Sequence, residues 1–270
     1  MKITDLLIEA GQAQYTTIID SFSLDAPEQL DVLRERLTAH ANAAYTAYKQ
    51  QPTTMLYRGV RRNVAAFQQN TLASTRVSEN TGNYVTLLTG ILPSWKAMPP
   101  RSKGVSCTNG TGTAKGYGSL YVAVPCDDAT IVYTGASDFW YSFPRLSNEL
   151  GHDVDDLNRD IAAIHTSLAA AFPFIPKTLA TESDMLRFCE GVDKVSQIGS
   201  VTVGRIMDSR AITRYFMDSD VSFIEYLSQL LEPSESRISH NGTPLKPQGE
   251  EEVFVSGNII FVEANIWSRL

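Results

Sequence analysis

Three short strand-like pieces, in a fixed order along the chain, each set polar groups in or beside an apolar, β-prone run. They are Leu56-Tyr57-Arg58-Gly59-Val60, then Gly104-Val105-Ser106-Cys107-Thr108, then Glu250-Glu251-Glu252-Val253-Phe254-Val255. Polar side chains are expensive to hold against a core unless they are paired or used. Taken singly, each piece is weak. An Arg-Gly after apolar residues is common, and a Glu-Glu-Glu run ordinarily marks a solvated turn. It is their joint order that narrows the possibilities.

With 270 residues, 43% hydrophobic and 20% charged, the chain has the composition of a soluble protein of one large or two small domains. A net charge of −7 gives no bulk attraction for nucleic acid. Within this acidic background Arg58, Arg61 and Arg62 form a local basic cluster, which suits a phosphate-bearing ligand; the competing reading is a solvated turn. Cys107, Cys126 and Cys189 show neither a disulfide framework nor metal-ligand spacing, so no metal is expected and a reducing cytoplasm fits. Met1 to Ala10 is short and amphipathic, without the basic start and apolar run of a signal peptide. No apolar run approaches the roughly 18 residues that span a membrane. The Asn-Gly-Thr triplets at Asn109 and Asn241 read as turns.

Helices and strands are segregated in blocks, which predicts an α+β fold. Asp25-Ala26-Pro27-Glu28 opens a helix with Leu30, Leu33, Leu37, Ala41 and Ala44 at helical spacing, extending toward Tyr48. Residues 1–52 are thus expected to be a helical region packed on a core formed by 53–270. Thr53 to Val60 reads as a strand, Gln68 to Asn83 as a polar stretch, and Tyr84 to Met98 as a helix broken at Pro93. Leu120 to Val124 and Thr130 to Tyr133 are β-type runs either side of a Cys-Asp-Asp turn. A helical insertion spans about 150–232, with helices at Asp153 to Phe172, Glu182 to Val192 and Ser219 to Leu231. Glu251 to Val255 and Ile259 to Val262, around a Ser-Gly-Asn turn, read as a hairpin.

Other motifs carry less. In Asn109 to Gly116 the glycine spacing and the Lys115-Gly116 pair fit neither the P-loop nor the dinucleotide fingerprint, so the segment reads as a turn opening a short helix. The run His152 to Asp156 lacks the glycine and closing glutamate of a calcium loop and reads as a helix start. His40, His152, His165 and His240 are scattered, with no metal pair, and His165 falls on a helix face.

At Tyr57-Arg58-Gly59, Ser106-Cys107-Thr108 and Glu250-Glu251-Glu252 the chain resembles the mono-ADP-ribosyltransferases of the Arg-Ser-Glu type. Ala114 and Tyr117 stand after Ser106 where that family has an alanine and an aromatic on a short helix. Within the family it is most similar to bacteriophage enzymes that modify host proteins. The motifs cover about a quarter of the chain. Three features depart from the pattern: Cys107 in place of threonine, the short Gly118-Ser119 connection, and the long helical stretch before the glutamates.

The resemblance implies a split core of two small, mainly antiparallel sheets, with NAD as co-substrate. It implies that Glu252 stabilises an oxocarbenium-like transition state and bonds the ribose 2′-hydroxyl, that Ser106 orients Glu252, and that Arg58 contacts the NAD phosphates. Gly59 would meet the nicotinamide amide through its backbone. Tyr57, Thr108 and Tyr117 join the expected NAD-binding set. Glu250 would act on the acceptor, with arginine on host proteins expected, in the host cytoplasm if the chain is phage-encoded. The loop His240 to Gly249 would face the target. An RNA or small-molecule acceptor stays open. Two other readings also stay open: a secreted or injected toxin with the same chemistry, and a non-catalytic binding or structural protein with a degenerate form of the fold.

Overall fold

Leu33, Leu37, Ala41, Ala44 and Tyr48 are all buried, as their helical spacing requires. The computed structural model describes residues 15–23, 26–73, 83–151, 153–197, 220–234 and 236–270. In it the apolar stripe lies on two helices, α1 (Glu28–His40) and α2 (Asn42–Gln50), where one was expected. The break has a tertiary cause. Asp127 donates its backbone N–H to His40 O at 2.8 Å, and its carboxylate accepts from the Asn42 and Ala43 N–H groups at 3.3 and 3.0 Å. First-turn amides have no partner within a helix, so a carboxylate from a distant turn caps α2. The expected cap at Asp25 lies outside the described residues, as do Met1 to Ala10, His152 and the Ser219 helix start.

The described residues fall into two compact units: those of Met1–Glu79, Lys103–Ser142 and Glu235–Leu270, and those of Asn80–Ser102 and Phe143–Ser234. The first holds α1, α2 and nine strands: β1 (Tyr15–Ile19), β2 (Leu56–Val60), β3 (Ala66–Asn70), β4 (Val105–Thr108), β5 (Ser119–Pro125), β6 (Thr130–Tyr133), β7 (Arg237–Ser239), β8 (Glu252–Ser256) and β9 (Asn258–Glu263). Their order is β1-β3-β9-β5-β2-β4-β8-β6-β7, with every pairing antiparallel. The fold is therefore α+β.

Two separate sheets were expected; the strands form one continuous order instead. Its centre is thin, because β2 and β4 pair only at Tyr57 and Thr108. A five-strand ladder and a four-strand ladder thus meet at one residue pair. β1 and β3 fall in segments read as helical and as polar. The expected terminal hairpin does not form: β8 pairs with β4 and β6, whereas β9 pairs with β3 and β5. Only Gly257 separates them, too little for a two-residue hairpin turn. Its φ of +117° turns the chain into the other ladder, and a Cβ there would lie 2.9 Å from Ala129 Cα. The chain also changes ladder between β5 and β6.

Tyr48 links helices to sheet: its hydroxyl donates to Ala123 O at 2.9 Å and accepts from Leu56 N at 3.3 Å. Burial, with the negative neighbours it would meet on ionising, pushes its pKa well above the ordinary tyrosine value. A closing helix turn, Ala264–Trp267, brings Trp267 edge-on to Tyr45 and Tyr48.

Among the described residues the second unit is helical. The helix expected over Tyr84 to Met98 is shorter, α3 (Asn83–Leu88), followed by a 3-10 turn at Pro93–Trp95. α4 (Thr111–Lys115) belongs to the first unit. The remaining helices of the second are α5 (Pro144–Leu150), α6 (Val154–Ala171), α7 (Glu182–Ser196) and α8 (Phe223–Leu230). Capping boxes start α6 at Asp153/Asp156 and α7 at Thr181/Asp184, so the acidic run is a helix start. Leu157, Ile161, Ile164 and Leu168 are buried along α6. His165 Nε2 lies 2.7 Å from Pro176 O and its ring meets Phe188 edge-on, which accounts for it structurally.

Candidate active site

The thin join between the ladders is where the three singled-out strands meet. Tyr57 on β2 faces Thr108 on β4, Thr108 faces Glu252 on β8, and Ser106 faces Phe254. Residues in register, and residues two apart on one strand, share a face of the sheet. Tyr57, Ser106, Thr108 and Glu252 therefore belong to one face. Arg58 is 8% exposed, and its Nη1 donates to the backbone O of Ser106 at 2.5 Å, which fixes its guanidinium against β4. The other two arginines of the basic cluster lie apart in role. Arg62 stacks over the Tyr15 ring, 3.3 Å from its centroid, and Arg61 is exposed.

α4 crowds the same join. A Cβ on Gly59 would stand 2.0 Å from Ala114 O and 2.8 Å from Tyr117 Cβ. Gly59 therefore lets α4 and Tyr117 approach β2, a packing reason for a glycine expected only to admit a ligand. Burial raises the Tyr117 pKa, and the charges of Glu252 and Asp138 raise it further. The phenol thus shares its surroundings with the Glu252 carboxylate.

The three consecutive glutamates have three different surroundings. Glu250 is exposed, and its carboxylate accepts a hydrogen bond from the Thr113 hydroxyl on α4. Glu251 is 2% exposed and pairs with Arg237 at 2.5 Å. It also accepts from Gln248 N at 3.0 Å and Gly135 N at 3.1 Å. Glu252 is half-buried, and its Oε2 accepts from Phe139 N at 2.9 Å. The backbone of Glu252 is held as well: its N–H donates to Ala136 O at 2.8 Å, and its O accepts from Thr134 Oγ1 at 2.9 Å. Segment 134–142 thus wraps the start of β8.

The structure places Tyr57, Ser106, Thr108 and Glu252 on one face at the join and packs Gly59 and Tyr117 beside it. It sets Arg58 against β4 and Glu250 against Thr113, with Asn109, Phe139 and Glu251 holding the chain around the glutamates. Asn109 had read as a turn residue, and Glu251 as the spacer of a motif. Phe139 acts through its backbone, which no side-chain pattern encodes. The loop expected to face the target is pinned: Tyr133 accepts from Leu245 N at 2.8 Å, and Arg237 donates to Lys246 O at 2.8 Å. Asn241 and Gly242, at φ 58° and 63°, form its tight turn, closed by Thr243 N to His240 O at 3.3 Å.

Chemically, the join sets an oriented carboxylate, Glu252 on β8, and a guanidinium, Arg58 on β2, held against the β4 strand that lies between them. The guanidinium is suited to an anionic group, and the carboxylate to positive charge developing beside it. Among the described residues no group of three His, Cys, Asp or Glu could hold a metal ion, and no helix is long and apolar enough to cross a membrane. Set against protein-family models, curated proteins and solved structures, the chain matches none of them.

Proposed function

We propose that this chain is a mono-ADP-ribosyltransferase that moves ADP-ribose from NAD to an arginine side chain on a host protein. The observation that carries this reading is the row Tyr57–Thr108–Glu252 at the ladder join, with Arg58 bonded to the Ser106 strand beside it. In the reaction the bond between the ribose C1′ and the nicotinamide nitrogen breaks. Its electron pair leaves with neutral nicotinamide, and C1′ takes on oxocarbenium character. Glu252, oriented by the Phe139 N–H, stabilises that charge more in the transition state than in the substrate. Arg58 engages the diphosphate with a planar fork suited to its oxygens. A guanidine nitrogen of the acceptor then bonds C1′, and Glu250 takes the proton it loses.

The test uses the purified chain with NAD and agmatine as a small guanidine acceptor. Nicotinamide release and modified agmatine are both measured. Glu252→Gln should lower release by about 10²-fold or more with an unchanged circular dichroism spectrum. No nicotinamide from the wild type, or full turnover by a folded Glu252→Gln, would overturn the reading.

A further inference from the structure

Asn109 directly follows β4, and its side-chain amide reaches across to the chain on both sides of Glu250. Nδ2 donates to Gly249 O at 2.5 Å, and Oδ1 accepts from Glu251 N at 2.8 Å. An asparagine side chain carries a donor and an acceptor on one rigid plane. Here it acts as a one-residue strand neighbour, pairing with the groups that flank Glu250. Four residues further on, Thr113 donates its hydroxyl to the Glu250 carboxylate. Buried Glu251 anchors the next position through Arg237. The chain on both sides of Glu250 is therefore fixed, while its own side chain stands exposed at the end of that clamp.

We propose that Asn109 is a positioning residue for Glu250, so that it governs transfer to the acceptor and not cleavage of NAD. The inference rests on the transferase reading and deepens it. Asn109 touches none of Arg58, Ser106 or the Glu252 carboxylate through these two bonds; both fall on the Gly249 to Glu251 backbone. Loss of the clamp leaves the Glu252 side anchored by segment 134–142, through Ala136 O and Phe139 N. Glu250 alone would lose its fixed approach to a guanidine.

The experiment measures NAD hydrolysis and agmatine modification separately for wild type, Asn109→Ala and Asn109→Ser. The serine is too short to reach both partners but keeps a small polar side chain at the turn. Folding is followed by thermal melting. In folded variants, hydrolysis should stay within about twofold of wild type while transfer falls about tenfold or more, as misplacement of a reacting group does. A merely structural role would lower both activities in parallel. Parallel loss, or an unchanged ratio of the two, in an active enzyme overturns the assignment of Asn109 and leaves the transferase reading standing. A wild type that does not cleave NAD overturns both.

Discussion

Arg237 and Glu251 meet at 2.5 Å, and the carboxylate is buried between two glutamates that are not. Its oxygens also receive the N–H groups of Gln248 and Gly135. Removing one partner of such a pair leaves the other uncompensated in the interior. Glu251→Ala should therefore destabilise the protein by about 3 kcal/mol, since breaking a buried pair costs about that much or more. Glutamine is not a benign replacement, because its NH₂ would turn a donor toward at least one of three donors. Glu250→Ala, one residue earlier and exposed, should change stability by no more than about 0.5 kcal/mol. Urea unfolding of the two variants checks the contrast, and equal losses would contradict it.

That contrast shows what the sequence made legible and what it hid. The strands carrying Arg58, Ser106 and Glu252 form at their β-prone runs, although the first begins at Leu56, after a 3-10 turn at Pro52–Thr54, where Thr53 to Val60 was expected. α6 and α7 begin at capping boxes, Asp153/Asp156 and Thr181/Asp184, that are visible as local patterns. By contrast, nothing near Ala41 signals a helix break, because its cause is Asp127 in a distant turn. β3 contains Gln68 and Gln69 and reads as polar, yet pairing to β1 and β9 makes it a strand. β8 and β9 look like a hairpin because a one-residue glycine link resembles a turn until the ladder partners are known. Which of three adjacent glutamates is buried depends on Arg237 and Asn109, both remote in sequence.

Stability should be lost at alkaline pH through groups that burial keeps neutral. Burial pushes the Tyr133 phenol from its ordinary 10.0 up to about 12, and the charge of nearby Glu251 adds to this. Burial likewise raises the Cys126 and Cys189 thiols from 9.0 to about 12. A folded-state pKa above the unfolded value means that the unfolded chain loses its proton first. The stabilising contribution is complete below about pH 9 for the thiols and about pH 10 for the phenol, and is lost as pH rises toward about 12. At about 1.4 kcal/mol per unit, Tyr133 alone contributes about 3 kcal/mol to this fall. Tyr133→Phe should lower stability at neutral pH by about 1 kcal/mol, since Leu245 N loses its acceptor. The variant should also fall less steeply between pH 10 and 12. Unfolding measured across that range decides it, and identical slopes for variant and wild type would rule out the phenol's role.

Gly59→Ala tests whether the join is built on close approach. The added Cβ would meet the backbone O of Ala114 at 2.0 Å and Tyr117 Cβ at 2.8 Å. Neither is the far end of a flexible side chain, so the clash is relieved only by moving α4 or β2. β2 is held along its length by β5, through the pairs Leu56 with Ala123 to Val60 with Ser119. α4 has a single turn of helix and gives way more easily. Its displacement would carry Tyr117 away from Glu252 and loosen Thr113 from Glu250. Overpacking of this kind typically costs about 1–3 kcal/mol. The Gly59→Ala protein should therefore stay folded, melt earlier and show altered fluorescence of its tyrosines. NAD cleavage and transfer should fall together, unlike the selective loss expected at Asn109, because the shift touches the surroundings of both Glu252 and Glu250. A variant with unchanged melting temperature and unchanged activity would show that α4 does not rest on Gly59 in solution.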